Sequence, residues 1–246
     1  MTRYWRLFSA VAVLWALAAA PALAEEYGPW RPRSCVNLQA FGAIHWLDQS
    51  DVNNYIEAGE VEEFGNNDYD GYMQRMSPVT GARLGMVFNR FIADLQAQYY
   101  KQWRDGDDTG ATLATFNLMF HAGVDLVRTR VQVYPFVGIG WSYTNFVVNG
   151  DLRRNPQYPD FAGAKEGVPG DVGLGFEIQN PIWTSRDTNY RTAVNIPVFL
   201  HLGYQGEIIT YFWQIKHGQL ERNVIDRFMG PYVRMGIGFG KGKYIR

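Results

Sequence analysis

Apolar and polar residues alternate along most of the chain after residue 34. In the first alternating segment, from Cys35 to Leu47, one face carries Val36, Leu38, Ala40, Ile44 and Trp46, and the other carries Asn37, Gln39 and His45. A period of two over this length predicts a β-strand. The pattern returns in seven further segments: Ala82–Phe88, Ala93–Trp103, Thr115–Leu126, Val131–Thr144, Val172–Gln179, Val194–Gln205 and Val233–Phe239. Eight strands are therefore expected.

The strands and their connections together predict the architecture. Each strand nears or exceeds the ~9–11 residues that cross a membrane when tilted, and an even number closes an up-and-down barrel with both ends on one side. Short connections lie at Asn89–Phe91 and Val127–Arg130, and the third on that side, Asn180–Thr192, is longer than usual for it. They alternate with the connections Asp48–Thr80, Arg104–Thr112, Asn149–Gly170 and Gly206–Gly230, which form the other side. The predicted fold is all-β, a closed antiparallel up-and-down transmembrane β-barrel of eight strands.

A soluble, lipocalin-like barrel would also alternate, with its apolar face turned inward. Two features favour lipid on the apolar face instead. The polar face carries Asn, Gln, Thr, Ser, Gly and His with few charges, whereas a surface in water carries many Lys and Glu residues. Amphipathic rings recur near the outer ends of the odd-numbered strands, as in the aromatic belts of membrane proteins. This predicted aromatic girdle consists of Trp46, Tyr99, Trp103, Trp141, Tyr143 and Tyr204.

The N-terminal residues have the layout of an export signal. Arg3 and Arg6 precede an uncharged apolar run, and Ala22-Leu23-Ala24 supplies the small residues that a signal peptidase recognises. The run is too short for a spanning helix, which needs about 20 residues. We therefore expect a signal peptide at 1–24, a periplasmic segment at 25–33 and an outer-membrane β-barrel domain at 34–246. The expected location is the cell outer membrane.

Composition excludes several classes of function. The chain has 23 Lys and Arg against 24 Asp and Glu, so it lacks the basic excess that nucleic-acid binding requires. A single cysteine, Cys35, cannot form an intramolecular disulfide or a cysteine-rich metal site. The acidic segment from Asp48 to Asp70 lacks the spacing of a calcium-binding loop. Neither a cofactor nor a metal is expected.

Two segments with alternating glycines carry a family resemblance: Tyr134-Pro135-Phe136-Val137-Gly138-Ile139-Gly140 and Gly173-Leu174-Gly175-Phe176-Glu177. They resemble the small Gram-negative outer-membrane barrels of the OmpA, OmpX and OmpW type, without a peptidoglycan-binding domain. The resemblance implies a structural, adhesive or binding role, or limited porin-like transport of small solutes. It also implies outer-membrane lipid, lipopolysaccharide and the barrel-assembly machinery as partners.

Several charged or titratable residues are predicted to point into the barrel and to form a lumen polar network: Arg83, Asp94, His121, Asp125, Glu177, His201 and Arg234. Buried charges need partners, and side chains roughly fill an eight-stranded barrel. One interpretation is a plug of ion pairs, and the other is a narrow gated pore. Arg83 and Asp94 are expected at opposite depths and therefore unpaired, whereas Arg234 is expected near Gln39 and His201.

A lipid-modifying enzyme, acting on the acyl chains of lipid A, is the alternative from another class. Such an enzyme needs a histidine beside a serine or an acid near the outer leaflet. His45 and Ser142 are both predicted to point inward near the outer rim, but on opposite walls, and no serine accompanies His201 on neighbouring strands. The last connection, Gly206–Gly230, contains several apolar and aromatic residues. It suggests either a binding surface or a hairpin that continues above the membrane.

Overall fold

The chain folds into β-strands only, in the residues that the computed structural model describes: 31–46, 76–105, 110–127, 129–149, 161–185, 191–211, 214–217 and 230–245. The strands are β1 (Arg31–Trp46), β2 (Met76–Phe88), β3 (Phe91–Asp105), β4 (Gly110–Val124), β5 (Val131–Asn149), β6 (Phe161–Trp183), β7 (Arg191–Thr210), β8 (Gln214–His217) and β9 (Gly230–Ile245). The predicted signal peptide and the whole acidic segment from Asp48 to Asp70 lie outside the described residues. No helix in the described part of the chain is long and apolar enough to span a membrane.

Eight of these strands close into one antiparallel ring. Each pairs with its neighbour in chain order from β1 to β7, β7 pairs with β9, and β9 pairs with β1. The predicted all-β fold, an eight-stranded up-and-down barrel, is confirmed. Every barrel strand has a partner on both sides, so the ring has no unpaired sheet edge of the kind that lipid would not tolerate.

The pairing register defines a strong stagger. Followed from Cys35 on β1 around the ring, the paired residues return to β1 at His45, ten residues further along. A closed sheet with such an offset has strands tilted by roughly 35–45° to the barrel axis. Side chains that meet inside the lumen therefore come from positions that simple counting from the turns does not align.

Most strands extend further toward the long-connection end, here called the loop end, than the alternation predicts. β6 begins at Phe161, although its alternating pattern starts only at Val172, and β3 continues to Asp105. Outside the lipid both faces of a strand meet water, so apolar residues are no longer required on one face. Backbone pairing therefore continues there without the alternation of apolar and polar residues from which a strand is predicted.

The last predicted connection contains further strand structure. β7 runs on to Thr210, the Tyr211 amide donates to the Glu166 carbonyl, and β8 then pairs with β6 at Ala162–Ala164. β7 and β8 thus follow the same edge of β6 one after the other. β7 extends beyond the predicted membrane-spanning segment, as the hairpin interpretation expects, and its partner is β6. A β5–β6–β7 wall therefore rises on one side of the barrel, and β8 continues its last strand.

The apolar residues cover the outside of the barrel. Val36 and Ile139 are more than half exposed, Leu118 is 39% exposed, and Leu200 also faces outward. The polar partners of this alternation, such as Gln39 and Asn117, are buried inside at 1% exposure. A soluble barrel would have the reverse arrangement, because its core must be apolar. This barrel is therefore of the transmembrane, outer-membrane type.

The opposite, short-turn end carries the tight connections and both ends of the described chain. Asn89 adopts a φ of 54°, a conformation that asparagine tolerates better than most residues, so β2 can turn directly into β3. β1 begins at Arg31 and not at residue 34. Part of the expected periplasmic segment therefore already belongs to the barrel wall.

Candidate functional site

The middle of the lumen holds a connected group of charged side chains, here called the ion-pair plug. Its members come from five strands, β2, β3, β4, β6 and β9: Arg83, Asp94, His121, Asp171, Glu177 and Arg234. Each occupies an inward position of its strand and is at most 5% exposed. The alternation that presents lipid with an apolar surface also places these charges inside.

Arg83 is the central cation of the plug. Its guanidinium donates to Asp94 at 3.0 Å through Nε, and through Nη1 to Glu177 and to Gln39 at 2.7 Å each. Its Nη2 donates to the Tyr134 hydroxyl at 3.1 Å. The planar fork of arginine suits such divergent acceptors. One side chain therefore joins β1, β3, β5 and β6 across the lumen.

The Arg83–Asp94 ion pair contradicts the expectation that the two residues lie at opposite depths. Gly85 pairs with Asp94 and Arg83 pairs with Gln96 across the β2–β3 hairpin. Arg83 is thus only one inward position away from Asp94 on the neighbouring strand, a diagonal distance that long side chains span. The tight turn at Asn89 sets this register.

A closed ring of contacts completes the plug. His121 Nδ1 lies 2.8 Å from Asp94 Oδ1 and Nε2 lies 2.9 Å from Asp171 Oδ2. Arg234 lies 3.6 Å from Asp171 and donates to Gln96 at 2.5 Å, and Gln96 donates back to Asp94 at 2.8 Å. An imidazolium form of His121 donates to both ionised carboxylates through its two ring nitrogens. Three cations then balance three carboxylates.

Arg234 also stacks on aromatic rings. Its guanidinium carbon lies 4.3 Å from the centre of the Tyr232 ring and 5.3 Å from that of Phe41. His201 lies directly opposite it in the β7–β9 register, close to the expectation, whereas Gln39 contacts Arg83 instead. Cation–π contacts add to the ion pairs when the cation is desolvated. Arg234 is thus held in place both by its polar partners and by its stacking.

His201 joins the network through Tyr134, whose hydroxyl lies 2.8 Å from its Nε2. The histidine otherwise packs among the rings of Phe136 and Phe199, with centroids 4.7 Å away in each case. Asp125 stands apart. Its Oδ1 accepts from the backbone amides of Val127 and Val133 at the β4–β5 turn. It lies beyond the end of β4, where the chain has already left the lumen wall.

Glycines on β9 make room for the plug. The inward positions that follow Arg234 are occupied by Gly236, Gly238, Gly240 and Gly242. A Cβ at Gly236 would collide with the Phe199 ring, which itself lies beneath Arg83 at 4.7 Å. Bulky side chains from the other walls therefore occupy the space on this side.

Sequence reasoning missed several members of this site. Asp171 belongs neither to the predicted strand, which begins at Val172, nor to the predicted connection, which ends at Gly170. It nevertheless continues the inward row of Gly173, Gly175 and Glu177. That two-residue spacing was the signal that could have identified it. Nothing in the sequence distinguishes Gln96 from other inward glutamines, because its role depends on the stagger.

The two ends of the lumen differ from the plug. Toward the short-turn end a cluster of buried side chains includes Cys35, Val87, Ile92, Phe136 and Tyr244, with Trp183 packed against it. Buried polar side chains lie beside this cluster: Asn37, Gln132, Gln179 and Asn195. Toward the loop end lies an uncharged amide layer formed by Gln98, Asn117 and Gln205. None of the amide nitrogens or oxygens of these three side chains has a hydrogen-bond partner in the protein. Such groups require water.

The aromatic girdle residues that the structure describes face outward. Trp46, Tyr99, Trp141 and Tyr204 are 38–47% exposed, and Tyr143 stacks on Trp141 at 6.3 Å. Once the stagger is taken into account, they lie at about one level near the loop end. The side chain of Trp103 lies outside the described residues. A ring of amphipathic side chains at one level marks a membrane interface.

Apolar side chains continue beyond this level on the raised wall. Ile208 is 65% exposed, Ile209 49% and Tyr211 53%, and they lie four to seven residues past Tyr204 along β7. On the inner side of the same wall Lys165 pairs with Glu207 at 3.2 Å. The wall is therefore internally braced and presents an apolar strip above the membrane interface.

The remaining candidates for catalysis are the histidine and serine side chains near the loop end. His45 pairs with Ser77 across β1–β2, a proximity not anticipated, and Ser142 lies on the opposite wall. Ser77 Oγ has no hydrogen-bond partner, so no serine–histidine hydrogen bond links these two residues. Among the described residues, no group of three or more His, Cys, Asp or Glu side chains could hold a metal ion.

Comparisons with known proteins show a likeness of architecture alone. No protein-family model matches the chain, and no curated protein matches it. Ail, the attachment invasion locus protein of Yersinia pestis, in complex with the heparin analogue sucrose octasulfate, aligns with a TM-score of 0.44 and 9% identity, covering 85% of this chain and 99% of that one. The N-terminal β-barrel domain of Pseudomonas aeruginosa OprF gives 0.31 and 15%, covering 85% and 98%. Neisserial surface protein A gives 0.31 and 11%, covering 87% and 97%.

Proposed function

We propose that this chain is an outer-membrane binding or adhesive protein with a closed lumen, which acts through the raised wall at its loop end. The single observation that carries the proposal is the ion-pair plug. Each of its charged groups lies within ion-pair distance of another across the lumen, and a cluster of buried, mostly apolar side chains lies beneath it. A solute path would have to separate ion pairs that are expensive to break in a dry interior.

The strip formed by Ile208, Ile209 and Tyr211 supports the binding part of the proposal. Large apolar side chains beyond the membrane interface are exposed to water unless a partner covers them, and contiguous apolar surface of this kind marks interaction sites. The Lys165–Glu207 ion pair behind the strip stiffens its support. A prearranged surface binds at lower entropic cost than a disordered loop. Limited transport and lipid modification have no comparable observation in their favour.

One reconstituted preparation with two readouts tests the proposal. In planar bilayers the purified protein is expected to give no stable ion-conductance steps. In vesicles it is expected to bind apolar polystyrene beads. For the double variant I209S/Y211S the amount bound should fall at least roughly threefold, because exposed apolar surface is lost. I182S provides the matched control, because it removes an isoleucine at the short-turn end. Regular conductance steps, or equal bead binding by I209S/Y211S, would contradict the proposal.

A further inference from the structure

A pocket at the short-turn end combines cationic, polar and apolar walls. It has a volume of about 400 Å³ and lies between the start of β1, the end of β9, the β2–β3 turn and the β4–β5 turn. Its lining includes Arg31, Asn89, Arg90, Phe91, Asp125 and Ile245. The function proposed above does not use this end of the barrel.

The frame of the pocket is fixed by backbone hydrogen bonds. The Asn89 amide donates to the Arg33 carbonyl at 2.7 Å, and the Asp125 amide donates to the Arg90 carbonyl at 2.7 Å. Arg31 pairs with Ile245 across β1–β9. The two arginines are therefore brought to the pocket by separate elements that are tied to each other. Loop motion is not needed to form it.

The charge of this region is one-sided. Arg33, Arg90, Lys241 and Lys243 are exposed at the short-turn end, and Arg31 is half-buried. Among the described residues, no exposed acidic side chain lies at this end. Asp125, the acid that lines the pocket, is buried and accepts from two backbone amides. A negatively charged group would therefore meet a net positive field here.

The pocket opens onto the lipid-facing surface. Phe91 is 66% exposed, and its outward position continues the apolar row of β3. Lys241 pairs with Val36 on one side and with Val194 on the other, so lysine side chains lie next to apolar ones at the same end. Cations bordered by apolar surface match a ligand whose charged group is joined to hydrocarbon chains. Inorganic phosphate has no hydrocarbon chain that could pack against the apolar side chains at the border of the pocket.

We propose that this pocket binds the headgroup of an anionic phospholipid, with the phosphate between Arg31 and Arg90 and the acyl chains along Phe91 and Ile245. The leaflet involved is the one at the short-turn end. Basic pockets next to the membrane surface recognise acidic headgroups in this way. Lys241 and Lys243 extend the attraction along the neighbouring strand.

Native mass spectrometry of the full protein in detergent, with equal amounts of phosphatidylglycerol and phosphatidylcholine added, tests the inference. The wild-type protein should retain phosphatidylglycerol in clear preference. That preference should fall roughly fivefold for each arginine removed, in R31Q and R90Q, and nearly vanish in the double variant. K101Q, an equal loss of charge on β3 at the loop end, should keep the wild-type preference. Each variant is first shown to be folded by gel electrophoresis, in which the unboiled sample must migrate differently from the boiled one.

Two outcomes would overturn the inference. One is equal retention of the two lipids by the wild-type protein, or an unchanged preference in R31Q/R90Q. The other is displacement of phosphatidylglycerol by millimolar inorganic phosphate as effectively as by added phosphatidylglycerol, which would identify a phosphate site without lipid selectivity. Loss of the preference in K101Q as well would show that overall charge alone is responsible.

Discussion

The ion-pair plug and the amide layer lie one above the other in the same lumen, yet they satisfy their polar groups differently. Gln98 lies four residues beyond Asp94 on β3, and Asn117 lies four residues before His121 on β4, so these two strands contribute to both layers. In the plug every charged group bonds to another side chain, whereas the three amides bond to none. Burying an unpaired charge costs far more than leaving an amide to water. The charged positions therefore link different walls of the barrel across the lumen, and the amide layer does not.

The largest expected effect comes from removing a plug carboxylate. In D94A, Arg83, His121 and Gln96 all lose a partner. The free energy of unfolding should fall by about 3–5 kcal/mol, as for other broken buried ion pairs. Urea unfolding in micelles, followed by tryptophan fluorescence, measures it. A loss no greater than that caused by N117A would show that the plug and the amide layer do not differ in energy.

A smaller effect is expected from R234K, which keeps the charge. A lysine cannot keep both the hydrogen bond to Gln96 and the 3.6 Å ion pair with Asp171, because it lacks the planar fork of arginine. Nor can it stack in the same way against Phe41 and Tyr232. The expected loss is about 1–3 kcal/mol in the same unfolding experiment. An unchanged midpoint would mean that charge alone, and not geometry, secures this part of the plug.

The smallest effect is expected in the amide layer. N117A removes a buried side chain, but one whose polar atoms have no protein partner to lose. Its unfolding free energy should fall by less than about 1 kcal/mol, because the truncation leaves no hydrogen-bond partner unpaired. A loss above ~2 kcal/mol would indicate an ordered hydrogen-bond network and would remove the distinction between the two layers.

The sequence was sufficient to predict which side of each strand faces lipid. Lipid requires an apolar residue at every second position, so Val36, Leu118 and Ile139 were placed outward from their spacing alone, in agreement with the structure. The requirement ends at the membrane surface, so the extension of β6 from Val172 to Phe161 could not be predicted. The orientation of each strand followed from the local alternation of apolar and polar residues, whereas the length of the strand did not.

The partners within the lumen could not be predicted, because the stagger is a property of the closed ring. An offset of ten residues in one circuit determines which inward side chains reach each other. The contact of Arg83 with Glu177 on β6 depends on it. So does the contact of Arg234 with Gln96, on strands that are far apart in the chain. The identity of most charged members was readable from the sequence, whereas their pairing was not.

Arg234 belongs to β9, the last of the described strands in chain order, and its partners lie on β3 and β6. Before β9 joins the sheet, Asp171 and Gln96 lack Arg234 as a partner, so water must solvate these two side chains. The pairing of β9 with β1 closes the ring of strands. The same strand carries Arg234, which then contacts Asp171 and Gln96. Completion of the barrel is thereby coupled to charge neutrality of its interior. A chain that stops short of its final strand would be left both unsealed and electrostatically incomplete, a state that lipid insertion would disfavour.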